Sequence, residues 1–156
     1  AQNHFLRILK TYLVNDQQFC TIKFYVMQNS ELSHSKHIVF IADNEGINIG
    51  FPEIVELLKY EPPTNMHISL LYISESADFI FRNELKVLTR RFPTTFITYY
   101  NQALQQETIE MIINTNTKPK IEFFLSVNEE LQVTIFDKLR FLSINIEDIH
   151  VLDIRN

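Results

Sequence analysis

The residues of this 156-residue chain best placed to do chemistry fall in one short stretch, Asp43, Asn44, Glu45 and Gly46. They follow an apolar run, Ile38 to Ala42, and precede a segment with Phe51, Ile54, Val55 and Leu58 at helical spacing. A strand, a glycine-bearing loop and a helix in that order hold a phosphate or nucleotide at the helix N-terminus in α/β proteins. Gly46 reads either as a phosphate-loop glycine or as a turn glycine at positive φ. Asp43, at the carboxyl end of a central strand, either orients a ligand or caps its own loop. Ser126 ends a second apolar run, and Ser126-x-x-Glu129 matches a capping box better than a nucleophile, since no histidine is placed beside it. His34 and His37 lack further ligands at diagnostic spacing and read as linker and strand-edge residues rather than a metal pair. Cys20 stands alone, so neither a disulfide framework nor a cysteine metal site is available.

These residues need a scaffold, and the hydropathy pattern supplies one. Residues 4–14 read as a helix, 20–27 as a strand and 28–36 as a polar linker. Apolar strands at 37–42, 67–73, 95–99, 120–125 and 149–154 then alternate with amphipathic helices at 52–60, 78–91, 102–114 and 127–142. Pro52 is placed at the first position of its helix, and Asp78 is expected to cap the next. Near-continuous apolar strands joined by helices indicate a parallel sheet buried on both faces. Right-handed crossovers make it a doubly wound, Rossmann-like α/β fold of five strands, preceded by an N-terminal helix and strand. The expected division is residues 1–36 as an extension and 37–156 as the domain.

Composition narrows the function. Apolar residues make up 46% and charged ones 21%, as in ordinary globular domains. A net charge of −5 gives no basic face for nucleic acid, and no apolar run approaches the ~20 residues of a membrane span. Arg90 and Arg91, the one close basic pair, fall at an expected helix end, where they suit the helix dipole. No signal-peptide pattern opens the chain, and a cytoplasmic setting is expected.

From Ile38 onward the chain resembles the nucleotide-binding domain of ferredoxin–NADP reductase-like flavoenzymes. IVFIADNEGINI (38–49) is similar to the family's first strand and Gly-Gly-Thr-Gly-Ile-Thr-Pro loop. ISLLYISESADFIFRNEL (68–85) is similar to its second strand and helix, and FFLSVNEEL with NIEDIHVLDI (123–131 and 145–154) to its closing unit. The resemblance implies that Asp43, Asn44, Gly46, Asn48 and the backbone at Ser126 lie at the dinucleotide positions. It also implies NAD or NADP as cofactor, with FAD only on a separate upstream domain, since residues 1–36 are too few to form one. The implied partner is a flavin-binding domain or a redox protein.

The departures fall where the chemistry would be. Asp43 and Asn44 replace two loop glycines, Glu45 replaces a threonine, Glu75 stands where the family often carries an arginine, and Leu125-Ser126-Val127 replaces Cys-Gly-Pro. A pyrophosphate ~4 Å from one carboxylate is repelled by roughly 4 kcal/mol at an effective dielectric of 20. The helix dipole returns only about 0.3–2 kcal/mol. The expectation is a reductase-like domain whose dinucleotide binding is weak or lost. The alternative is a non-catalytic docking or regulatory module with the same fold.

Overall fold

The computed structural model describes residues 35–59, 66–115 and 118–152. The expected helix 4–14 and strand 20–27, and with them Cys20 and His34, lie outside the described residues, as does the Pro62-Pro63 turn. Lys36, read from the sequence as linker, instead opens the first strand.

Five parallel strands form one sheet in the order β3-β2-β1-β4-β5. They are β1 (Lys36–Ala42), β2 (Met66–Ile73), β3 (Phe96–Asn101), β4 (Lys120–Ser126) and β5 (Ile149–Val151). Helices α1 (Ile47–Lys59), α2 (Arg82–Arg91), α3 (Gln106–Thr115) and α4 (Glu129–Phe141) alternate with them. β1 is buried along its whole length because it runs through the middle of the sheet, with β2 and β4 as parallel neighbours. Its alternate residues serve opposite faces. Ile38, Phe40 and Ala42 pack with Phe51, Ile54 and Leu58 of α1 and with Leu85 and Leu88 of α2. Val39 and Ile41 pack with Ile109 and Ile112 of α3 and Ile135 and Leu139 of α4. The sheet is therefore doubly wound, as the strand and helix pattern predicts.

All four helix starts differ from expectation: α3 begins at Gln106 rather than at 102, and the other three differ for a visible local reason. α1 begins at Ile47, with Pro52 inside it rather than at its first position. Its first turn is set by the carbonyls of Asp43, Glu45 and Gly46, which accept the N–H groups of residues 47 to 50. α2 begins at Arg82 and has no side-chain cap, Phe81 preceding it at φ 64°. Asp78 does not cap it, because its carbonyl accepts the Ser74 hydroxyl and so belongs to a loop folded across the end of β2. α4 is capped by Asn128, whose side chain accepts the Leu131 N–H, and not by Ser126. No helix among the described residues is long and apolar enough to cross a membrane.

His37 lies in the sheet core, its Nε2 2.7 Å from the Ser69 hydroxyl. Burial, with His67 and Lys118 nearby, pushes its pKa down to about 4, so the ring is neutral at physiological pH. It is a core residue of a central strand, where the sequence suggests a strand-edge one.

Glu53 of α1 is buried, and its Oε2 has no hydrogen-bond partner among the described residues. Burial, helped by the neighbouring Glu56 charge, raises its pKa from 4.5 to about 8. A raised folded-state pKa gives stability that is complete below the unfolded value and is lost as pH climbs through the folded one. Glu53→Gln is thus expected to be more stable than the parent at pH 8 by up to about 4 kcal/mol. The two should converge near pH 4.5, the unfolded value. Denaturant unfolding from pH 4.5 to 8 tests this, and parallel stability curves for the two proteins would refute it.

Candidate functional site

In a doubly wound sheet, ligands bind beyond the carboxyl ends of the strands where the winding reverses. Here that point lies between β1 and β4, which are adjacent while their helices α1 and α4 leave on opposite faces. The β1–α1 loop, residues 43–46, therefore faces the β4–α4 connection, residues 127–128. The apolar run of β1 ends at Ala42, and the first polar side chain after it, Asp43, falls in this crevice.

Asp43 is the hinge of the arrangement. Its Oδ1 accepts the N–H groups of Glu45 at 3.1 Å and Gly46 at 2.7 Å. Its Oδ2 accepts the Asn128 N–H at 2.8 Å from across the crevice. The Asp43 N–H in turn donates to the Ser126 carbonyl at 3.3 Å. One carboxylate thus satisfies the opening of α1 and ties it to the start of α4. Together with the carbonyls of Asp43, Glu45 and Gly46, it supplies an acceptor for every N–H from residue 45 to residue 50. A phosphate arriving at this helix N-terminus finds the donors already engaged.

Gly46 and Ser126 make the second tie. The Ser126 hydroxyl donates to the Gly46 carbonyl at 2.7 Å. A Cβ at Gly46 would overlap the carbonyl of Ser126, so glycine is needed for close approach of loop to strand. Neither glycine adopts a positive φ, which corrects the turn-glycine reading. Ser126 is buried, and its hydroxyl ties the strand end to the loop.

Asn44 links β1 to β2. Its Nδ2 donates to the Ser74 hydroxyl at 2.9 Å, and its Oδ1 accepts the Tyr72 hydroxyl at 2.8 Å. Tyr72 also accepts the Ile80 N–H at 2.9 Å. Burial raises the Tyr72 pKa to about 12, so the phenol keeps its donor proton. Asn48 is the second residue of α1, exposed, its amide donating back to the Glu45 carbonyl at 3.2 Å.

A cleft of about 550 Å³ opens at this carboxyl edge. Of the five residues expected to hold a dinucleotide, Asp43 and Asn44 line it, while Gly46, Asn48 and Ser126 do not. Its charged lining is Asp43, Glu45, Glu75 and Glu130, with no lysine or arginine among the lining residues. Ile73, Leu104 and Leu131 give it an apolar part. No protein-family model matches the chain, and no curated protein sequence matches it.

Sequence reasoning missed three of the working residues. Asn128 is one of them: the Ser126 capping-box pattern outweighs it in the sequence, although Asn is among the strongest capping residues and stands directly before the helix. Ser74 and Tyr72 gave no signal, because their bonds to Asn44 span 30 and 28 residues.

Proposed function

We propose that this domain is a ferredoxin reductase-like nucleotide-binding domain whose phosphate position has been taken over by its own Asp43 carboxylate. It then works as a docking or regulatory module rather than as a dinucleotide-binding half of a flavin enzyme. The Asp43 carboxylate on the N–H groups of Glu45, Gly46 and Asn128 carries this reading. It supplies an internal anion where the resemblance would put a pyrophosphate. Glu45, Glu75 and Glu130 add negative charge to the cleft, which opposes NADPH, with its additional phosphate, more than NADH. Under this reading a flavin-binding domain or redox protein is met through protein surfaces. A cytoplasmic setting goes with it.

The expected result is a dissociation constant weaker than about 1 mM for both NADH and NADPH, under about 4 kcal/mol of binding. Calorimetry or ligand-observed NMR on the full chain measures this. Micromolar binding of either nucleotide would overturn the reading, since Asp43 would then have had to leave its seat.

A further inference from the structure

The two edges of the sheet differ. β5 is three residues long, and an edge that short offers little to pair with. β3 is six residues, FITYYN, with no charge and no proline, so it lacks the devices that protect an open edge. Among the described residues no strand lies on its outer side.

The hydrogen-bond parity says which groups face outward. Ile68 and Ser74 of β2 donate to the carbonyls of Thr95 at 2.7 Å and Asn101 at 2.9 Å. Alternate residues of a parallel strand bond the same neighbour. Ile97 and Tyr99 thus also face β2, and Thr98 and Tyr100 turn their N–H and C=O groups away from it. The Phe96 N–H, on the same outer side, is taken by the Phe92 carbonyl at 2.9 Å.

Charge indicates what fits beside them. α2 packs against β3 and carries Arg82, Lys86 and Arg90 four residues apart, an exposed stripe on one side of the helix. None of the three is in an ion pair among the described residues. Arg82 reaches the edge itself, its guanidinium 4.8 Å from the Tyr100 ring centroid and 5.5 Å from that of Phe79. In a chain of net charge −5 this is a local basic surface running beside an unprotected strand.

We infer that the outer edge of β3 takes an extended segment of an acidic protein partner as a sixth strand. Its backbone pairs with Thr98 and Tyr100, and its acidic side chains lie on the α2 side near Arg82, Lys86 and Arg90. Main-chain pairing supplies affinity, and the alternating side chains supply selectivity. A second copy of this chain fits less well. Antiparallel pairing of two β3 strands about a dyad normal to the sheet sets each basic α2 beside its mate. The inference stands apart from the cofactor question and holds whether or not the cleft takes a dinucleotide.

The test uses the full chain with a short synthetic peptide alternating glutamate and valine, and a counterpart alternating lysine and valine. The glutamate peptide is expected to bind with a dissociation constant below ~1 mM and the lysine peptide at least ~tenfold more weakly. Amide exchange at Thr98 and Tyr100 should slow when the glutamate peptide is added. The variant Arg82→Glu, Lys86→Glu, Arg90→Glu should reverse the preference, and Thr98→Pro, which removes one outward donor, should weaken both peptides. Equal binding of the two peptides, or no binding, overturns the inference. So does strong protection of the Thr98 and Tyr100 amides before any peptide is added, which would mean that this chain or a second copy already holds the edge.

Discussion

Gly46→Ala is expected to destabilise the domain by more than about 4 kcal/mol, in the range reserved for steric conflict in a packed interior. The added methyl would overlap the backbone of Ser126, where no rotamer change can relieve the clash. Relief requires α1 and its loop to withdraw from β4. That movement breaks the Ser126 hydroxyl to Gly46 carbonyl bond and the Asp43 N–H to Ser126 carbonyl bond together. Gly50→Ala is the control. Its Cβ would meet the Ala42 Cβ at 3.8 Å, an ordinary contact. With glycine costing about 1 kcal/mol relative to alanine in a helix, that variant should be at least as stable as the parent. Chemical denaturation of the three proteins decides the matter, and a Gly46→Ala protein of parental stability would show that loop and strand do not approach as described.

Asp43→Gly is expected to cost about 3–5 kcal/mol, because three N–H groups lose their acceptor at about 1–3 kcal/mol each, partly offset by water. The donors left behind, on Glu45, Gly46 and Asn128, converge on the volume the carboxylate vacated. Inorganic phosphate should therefore stabilise Asp43→Gly, by about 1–3 kcal/mol when well above its dissociation constant, and leave the parent unaffected. Asp43→Asn should fall between them. Its amide oxygen still accepts from one side, but its NH₂ group meets the Asn128 N–H donor to donor. Thermal unfolding with and without phosphate reads all three. A destabilised Asp43→Gly that ignores phosphate would mean the carboxylate is a structural cap, and the idea that it replaces a phosphate would fall.

Most of the fold was legible because burial acts on every residue of a strand. β1, β2 and β4 are apolar runs because helices cover both faces, and that leaves an unmistakable pattern. Helix starts were less legible because the local signals compete with distant ones. Pro52 and Asp78 are good first-turn and cap residues, yet α1 starts five residues before Pro52 and α2 four after Asp78. Loop contacts decided both: the Asp43 carboxylate at α1, and the bonds from Ser74 and Tyr72 to the segment before α2.

The site divides the same way. The order of residues already placed acidic side chains in the loop where the resemblance puts a phosphate, and their charge alone argues for repulsion there. It could not tell whether the Asp43 carboxylate faced the cleft or the backbone. That depends on the Asn128 N–H, 85 residues further along the chain, and on Ser126 closing against Gly46 across 80 residues. Charge is a property of a residue and survives in the linear sequence. The direction in which that charge points is set by which donors the parallel sheet brings to its side, and in a fold of crossover connections those donors come from another strand.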